Sequence, residues 1–163
     1  MGICEVLIPL TNSPSPGVRA NSGAAMGNLS SKCRGATSDA FIRVWNDPEG
    51  GMHDYLYRFI TTPDATFLYI AVWTVVQLLE SGDPRLINNI CGHPRLISRI
   101  RKLVASNSPT PSPSDGVPHS GVPDSDQEVG TIWEQGEIQL LSRRILELID
   151  GDIYLSTTIA TAP

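Results

Sequence analysis

The sequence is poor in residue types that mark several large classes of protein. Aromatic residues make up 6% of its 163 residues, and cysteine occurs only at Cys4, Cys33 and Cys91. Three widely spaced cysteines do not form a disulfide framework, so we expect reduced thiols in the cytosol. The longest apolar runs fall well short of the roughly 20 residues that span a bilayer. No positively charged leader precedes an apolar stretch, which argues against a secretory signal.

Positive charge is also scarce. The 12 Lys and Arg residues are outnumbered by 17 Asp and Glu residues, which gives a net charge of −5. A general nucleic-acid binder needs basic residues to replace the counterions of the phosphate backbone. The charge balance therefore predicts that nucleic acid is not a partner.

What the sequence does contain is a repeated helical pattern. Residues 2–14, 51–63 and 93–109 each carry apolar residues at helical spacing, and the first two copies lie between a Gly and a Pro. The matching apolar positions are Ile3, Val6, Leu7 and Leu10, then Met52, Tyr55, Leu56 and Phe59, then Leu96, Ile100 and Leu103. This spacing predicts an amphipathic helix in each copy.

A second type of helix follows the first two copies, over 15–31 and 65–81. Val18 matches Leu68 and Leu29 matches Leu79, both at an offset of 50 residues. Gly82 is expected to end the second of these helices, and Asp83-Pro84 supplies an N-cap and a first-turn proline for the next. A period of roughly 40–50 residues is typical of solenoids, in which stacked units bury a core that no single unit could bury.

The pattern stops at a stretch rich in Pro and Ser. We expect a disordered loop over 106–132, a helix over 133–151 and a tail of uncertain structure over 152–163. Ser108, Thr110 and Ser112 each precede a proline and are candidates for phosphorylation. Each phosphate would add about −1.5 to −2 charges beside the basic helix that precedes the loop.

The repeats carry the motif ANSGAAMGNLSS at residues 20–31, and this motif resembles the armadillo-repeat family. CEVLIPLTNSPS, FIRVWNDPEGGMHDYL and RFITTPDATFLYIAVWTVVQLLES follow one another in the order found in the C-terminal repeats of the vacuolar armadillo proteins of fungi. The resemblance covers residues 3–105 and, more weakly, 133–150. It implies an all-α, right-handed α-solenoid of about two and a half three-helix repeats with a disordered insertion. The first repeat would comprise only its second and third helices, and the next would have a first helix shortened to 40–46.

The resemblance also implies a function. Such proteins are scaffolds on the cytosolic face of the vacuole that act in vacuole inheritance, nucleus–vacuole contact and autophagy-related targeting. They bind peptide segments of adaptor, nuclear-envelope or autophagy proteins along a groove formed by the third helices, without catalysis and without a cofactor. The alternative for this chain is a truncated, non-functional fragment that lacks a usable groove and the family's lipid anchor.

Five residues are the candidates for lining such a groove. Asn28 stands where an armadillo Asn hydrogen-bonds the backbone of a bound peptide, and its alternative role is a bond to its own helix end. The groove would continue through Asn21, Ala24, Thr74 and Gln77. Trp73 lies nearby and is assigned either to the core or to the groove.

The opening MGICEV resembles a lipidation signal, but the myristoylation pattern asks for Ser or Thr where this chain has Val6. We therefore expect no direct membrane anchor and a chain that begins in mid-repeat. Its first two helices would expose a face that a neighbouring repeat normally covers. Weak stability and self-association through this face are the expected consequences.

The remaining candidates are weaker. Cys91-Gly92-His93 has no second Cys/His pair at ligand spacing, so no metal site is expected. His53, His93 and His119 have no neighbouring residues in the sequence for acid–base chemistry. One helix carries a basic side that could pair with acidic residues of the last helix or with an acidic partner. The basic residues are Arg95, Arg99, Arg101 and Lys102, and the acidic ones are Glu134, Glu137, Glu147 and Asp150.

Overall fold

The computed structural model describes residues 2–47, 50–105 and 135–151, and all regular structure in these residues is helical. The helices are α1 (Ile3–Leu10), α2 (Pro16–Ser30), α3 (Ala36–Arg43), α4 (Met52–Thr61), α5 (Ala65–Glu80), α6 (Pro84–Cys91), α7 (Pro94–Ala105) and α8 (135–151). The all-α prediction is therefore confirmed for the described residues. The loop expected at 106–132, with Ser108, Thr110 and Ser112, lies outside them, as do the tail 152–163 and His119.

Local sequence signals set the helix ends largely as predicted. Asp64 and Asp83 cap α5 and α6, since one carboxylate oxygen of each accepts the backbone N–H two residues later, at 2.9 and 3.0 Å. Gly82 follows α5 with φ of 70°, a conformation that glycine adopts at little cost. Gly92 caps the end of α6, and Pro94 begins α7.

The first helix of the second repeat was predicted in the wrong place. It was expected at 40–46, whereas α3 spans Ala36–Arg43. The helix ends there because the next two backbone carbonyls accept hydrogen bonds from the first turn of α4 rather than from α3. Val44 O accepts from Met52 N at 3.0 Å, and Trp45 O accepts from His53 N at 3.4 Å. This long-range pairing has no signal in the local sequence.

Helices that hold equivalent positions in successive repeats lie against each other. α2 packs on α5, α3 on α6 and α4 on α7, while α1 with α2 and α4 with α5 pack as pairs within one repeat. Such stacking of like on like is the arrangement of a solenoid. The second helices α4 and α7 thus lie in one layer, and the third helices α2 and α5 belong to another.

Two glycines allow α2 and α5 to approach closely. A Cβ on Gly23 would lie 2.5 Å from the Phe59 ring, and one on Gly27 would lie 2.5 Å from the Trp73 ring and 3.0 Å from Thr74 Oγ1. The fully buried Tyr55 also reaches Gly23, since its hydroxyl donates to Gly23 O at 3.2 Å. Gly27 therefore lets α2 approach α5, while Gly23 lets α2 approach Phe59 of α4 and, at 3.3 Å, Ile70 of α5.

A cluster of aromatic rings joins the second and third repeats. Trp45 is buried, and its indole N–H donates to His93 Nε2 at 3.1 Å. The His93 ring stacks on His53 with 4.7 Å between centroids and 14° between planes. His53 Nδ1 lies 2.6 Å from Trp45 O, and its Nε2 lies 3.4 Å from an oxygen of Asp54. Only a neutral His93 can accept the indole bond.

The apolar face of α1 is open to solvent. Ile3, Val6 and Leu10 are 55%, 44% and 41% exposed, and Val18 at the start of α2 is 39% exposed. Cys4 and Ile8, on the opposite side of α1, are buried in the core. Self-association through the exposed face stays a prediction.

We expect Gly27→Ala to lower the free energy of unfolding by about 1–2 kcal/mol. Overpacking against Trp73 and Thr74 costs about 1–3 kcal/mol, and this exceeds the gain of up to about 1 kcal/mol in helix propensity. Urea denaturation measures the difference. Gly17→Ala is the matched control on the same helix, because its Cβ would meet only Ser15 Oγ at 4.0 Å. That variant should be neutral or stabilising, and equal effects of the two substitutions would contradict the role of Gly27.

We expect the chain to lose stability as pH falls below about 6.5, the ordinary pKa of histidine. Burial lowers the pKa of His93 and the neighbouring His53 lowers it further, while Asp54 acts in the opposite direction. The unfolded chain therefore binds a proton at a higher pH than the folded one. The stabilisation from neutral His93 is therefore fully present above the ordinary pKa of histidine. It is lost as the pH falls from that value through the lowered pKa of His93 in the folded chain.

The measurement for this second prediction is urea unfolding at a series of pH values. His93→Gln is the control, because the glutamine oxygen can still accept the indole N–H but does not titrate. The wild type should lose more stability than this variant between neutral and mildly acidic pH. Parallel curves for the two proteins would show that His93 does not contribute.

We expect Val6→Glu combined with Leu10→Glu to abolish self-association, since charge on both positions prevents burial of the exposed α1 face. Sedimentation velocity over a range of protein concentrations measures the effect. Tyr57→Glu places a charge at an exposed apolar position of α4 and serves as the control. A wild type that remains monomeric at every concentration would contradict the prediction.

Candidate protein-binding groove

The third helices α5 and α8 enclose a surface groove of about 600 Å³, which we call the α5–α8 groove. Its two walls combine aromatic, aliphatic, amide and charged side chains. They are Tyr69, Trp73, Val76, Gln77 and Glu80 of α5, and Glu137, Leu140, Leu141, Arg143, Arg144 and Glu147 of α8. An elongated apolar surface with polar groups at its edges suits an extended peptide.

Polar contacts join the two walls near both ends of the groove. At one end the Tyr69 hydroxyl donates to Glu137 Oε1 at 3.5 Å, and at the other Arg144 Nε donates to Glu80 Oε1 at 3.2 Å. Burial and the adjacent Glu137 raise the pKa of the Tyr69 phenol, so it remains a hydrogen-bond donor at neutral pH. Contacts this exposed contribute at most about 1 kcal/mol each and can yield to a bound ligand.

Trp73 and Leu140 supply apolar surface to the groove. Trp73 is half-buried, and the edge of its ring lies against the α2 backbone at Gly27. It therefore serves both of the roles considered for it, as a packing residue and as part of the groove wall. Leu140 is 68% exposed, more than any other large apolar residue in the described part of the chain. An exposed leucine and a half-buried tryptophan in one groove leave apolar area that a ligand can cover.

The five residues proposed from the sequence lie in different environments. Gln77 is half-buried and lines the groove. Asn21 and Asn28 are exposed on α2, and Ala24 is half-buried between them. Thr74 is fully buried, and its hydroxyl donates to Ile70 O at 2.7 Å. Its assignment to the groove surface is therefore wrong, because the close α2–α5 approach covers it.

The alternative role considered for Asn28 is not observed. Its backbone carbonyl accepts from Ser31 Oγ at 2.7 Å, but within residues 2–47, 50–105 and 135–151 its side-chain amide has no hydrogen-bond partner. An exposed amide at the end of a third helix is free to bond a peptide backbone. The role of Asn28 in peptide binding stays a prediction.

Two of the acidic residues that could pair with the basic side of α7 contact other groups. Glu137 contacts Tyr69, and Glu147 lies 3.7 Å from Arg144 of its own helix. Arg99 Nε instead donates to Ile60 O at 3.2 Å, which ties α7 to the end of α4. Glu134 lies outside the described residues.

Sequence reasoning missed Tyr69 and Leu140 as groove residues. Leu140 could have been found, because it is apolar but lies off the stripe that α8 buries through Ile138, Ile145 and Ile149. Tyr69 has no such signal, since its position follows from the spacing of α5 and α8. The stacked pair of His53 and His93 was also missed, because the two are 40 residues apart in sequence.

Within residues 2–47, 50–105 and 135–151, none of the helices is both long and apolar enough to cross a membrane. No group of three or more His, Cys, Asp or Glu side chains among those residues is placed to hold a metal ion. Cys4 and Cys33 are buried, Cys91 is exposed, and burial raises the pKa of the Cys4 and Cys33 thiols.

The chain is similar to curated fungal proteins named Vacuolar protein 8. It is 42% identical to the Schizosaccharomyces pombe protein over 151 residues, which are 93% of this chain and 24% of that protein. It is 49% identical to the Yarrowia lipolytica protein over 108 residues, or 66% of this chain and 18% of that protein. The Saccharomyces cerevisiae protein is 36% identical over 101 residues, or 62% of this chain and 17% of that protein.

The chain thus spans about a quarter of the length of the first of these relatives. No protein-family model matches it. The identities extend over most of the chain, and with the all-helical structure they bear out the resemblance to the repeats of the vacuolar armadillo proteins.

Proposed function

We propose that this chain, which resembles a quarter-length segment of Vacuolar protein 8, is a protein-binding part of an armadillo-type vacuolar scaffold. Its ligand is an extended peptide segment of a partner protein, and the α5–α8 groove is the place where that segment binds. No catalytic step and no cofactor enter this proposal.

The observation that supports the proposal is that the half-buried Trp73 and the exposed Leu140 line one groove of about 600 Å³. Apolar side chains that are neither buried in the core nor scattered singly mark an interaction surface. Tryptophan contributes strongly where a partner excludes water from it. Polar side chains at the groove edges, such as Gln77 and Arg144, would bond the peptide backbone and fix its direction.

The α2 surface would extend the binding site. α2 lies directly beside α5, and its exposed Asn21 and Asn28 follow the third-helix face as a peptide would. Ala24, between them, leaves room for a backbone. The alternative, a non-functional fragment, requires that no usable groove exist, and the α5–α8 groove counts against it.

The finer assignments follow from the resemblance. We propose that the longer protein acts at the cytosolic face of the vacuole membrane, in vacuole inheritance, nucleus–vacuole contact and autophagy-related targeting. Its partners would be peptide segments of adaptor, nuclear-envelope or autophagy proteins.

Selection from a displayed library of random peptides tests the groove. We expect the selected peptides to bind at least about tenfold more weakly to Leu140→Asp than to the wild type, because a carboxylate at the groove centre must be desolvated by an apolar ligand side chain. Leu140 is 68% exposed, so the substitution should leave the fold intact. Fluorescence anisotropy with labelled peptides measures the affinities.

Tyr57→Asp is the matched control, since Tyr57 is an exposed large apolar residue on α4, outside the groove. It should leave every affinity unchanged. Peptides that lose affinity for Tyr57→Asp, or that bind Leu140→Asp as tightly as the wild type, would contradict the proposal. Circular dichroism of both variants verifies that they are folded.

A further inference from the structure

A second cavity, of about 330 Å³, lies at the edge of the solenoid and away from the α5–α8 groove. It is formed where the turn between α1 and α2 meets the turn between α4 and α5. Its polar lining includes two half-buried arginines, Arg19 and Arg58, and hydroxyl groups that include Thr11 and Thr62. We infer that this cavity is a binding site for a phosphate monoester, presented by a phosphoserine or phosphothreonine side chain of a partner protein.

Arg19 is held in position by the turn and by an aromatic ring. One guanidinium nitrogen donates to Ser13 O at 2.8 Å and to Pro14 O at 3.1 Å. The guanidinium carbon lies 5.4 Å from the centroid of the Phe67 ring, within the range of a cation–π contact. The hydrogen bonds use one nitrogen of the group, and the ring contact uses its face. The other N–H groups remain available to an anion, and little rotamer entropy would be lost when it binds.

Arg58 reaches the opposite side of the same turn. Its Nη2 donates to Thr11 Oγ1 at 3.1 Å, and the Thr11 hydroxyl in turn donates to Ile8 O at 2.6 Å. Burial lowers the pKa of Arg58, and the more distant Asp54 opposes this. The hydroxyl of Thr11 is neutral and does not balance the charge of Arg58. A bound anion would therefore stabilise this half-buried cation.

Two arginines outside the cavity form ion pairs with carboxylates. Arg85 and Arg144, both about half exposed, lie within 4 Å of carboxylates: Arg85 of Asp39 and Asp83, and Arg144 of Glu80 and Glu147. No carboxylate of residues 2–47, 50–105 or 135–151 lies that close to Arg19 or Arg58. Arg19 and Arg58 thus lie half-buried at the cavity with no carboxylate within 4 Å in those ranges.

Two arginines match the charge of a phosphate monoester, which is about −1.5 to −2 at neutral pH. Guanidinium groups bind phosphate oxygens in a bidentate manner, and the hydroxyls of Ser13 and Thr62 are available as further donors, whereas the Thr11 hydroxyl already donates to Ile8 O. A carboxylate would neutralise only one of the two cations. The cavity, at about 330 Å³, has room for the phosphate and for the side chain that bears it.

The lining favours a protein ligand over a membrane surface. Binding to anionic lipid headgroups depends on clusters of about 4–8 Lys and Arg residues. This cavity has two arginines and no lysine among its lining residues. Such a site recognises one phosphate group and depends on the attached chain for further affinity.

Titration of the full chain, monitored by NMR of the arginine Nε–H groups, tests the inference. The probes are a short phosphothreonine peptide, the same peptide with threonine, inorganic phosphate and an inositol phosphate. We expect saturable shifts of the Arg19 and Arg58 signals with the phosphopeptide, at a Kd of about 1 mM or tighter. The threonine peptide should produce no such shifts.

Variants provide the second measurement. Arg58→Gln should weaken phosphopeptide binding about tenfold or more. Arg101→Gln removes an exposed charge outside the cavity and should leave binding unchanged. If Arg58→Gln does not fold, phosphopeptide binding by Arg19→Gln is compared with that of the wild type instead. The shifts of the Arg19 and Arg58 signals in the wild type then show whether the peptide binds at the cavity.

Three outcomes would overturn the inference. Equal shifts at all arginines would show non-specific attraction of anions. Stronger saturation by the inositol phosphate than by the phosphopeptide would assign the cavity to a lipid headgroup. Absence of saturation with every phosphate probe would show that the arginines only support the turn. None of these outcomes would test the α5–α8 groove, which uses different residues.

Discussion

The close approach of α2 and α5 is the constraint on which the rest of the structure depends. Gly23 and Gly27 leave no room for a side chain between the helices, so their surfaces meet at the backbone of α2. Phe59 of α4 occupies the space beside Gly23, and Trp73 of α5 occupies the space beside Gly27. A helix interior normally disfavours glycine by about 1 kcal/mol, and here tertiary packing offsets this cost.

The same approach shapes the candidate groove. Because the Trp73 ring meets Gly27 on one side, its position is fixed, and the rest of the ring lines the surface beside α8. Thr74, the next residue, turns into the α2–α5 contact and is covered. One turn of α5 thus divides its residues between the solenoid core and the surface offered to a ligand.

The junctions between repeats use polar as well as apolar contacts. The Trp45 indole bond to His93 and the Arg99 bond to Ile60 O both connect one repeat to the next. Each satisfies a group that packing alone would leave buried without a partner. Arg19 and Arg58 differ, since they bond to one turn between helices and together line a cavity. This difference separates a junction of the fold from a surface that can accept a ligand.

Helix positions could be read from the sequence because they depend on local signals. Apolar spacing located α1, α4 and α7, and Gly82, Asp83 and Pro84 marked the end of one helix and the start of the next. The repeat offset also identified α2 and α5 as equivalent helices, which the structure stacks together. Ile138, Ile145 and Ile149 form the buried face of α8 at the spacing that a helix requires.

Features that depend on the distance between two segments of the fold could not be predicted from the sequence. The end of α3 is set by carbonyls that pair with residues 52 and 53, eight positions later in the chain. The burial of Thr74, the stacking of His53 on His93 and the cavity between Arg19 and Arg58 each join segments with no shared local pattern. The sequence by itself determined the helices and their repeat, because periodicity and capping act within a few residues. Only the tertiary structure decided which side chains face a neighbour and which face a ligand, because that depends on the distance between helix backbones.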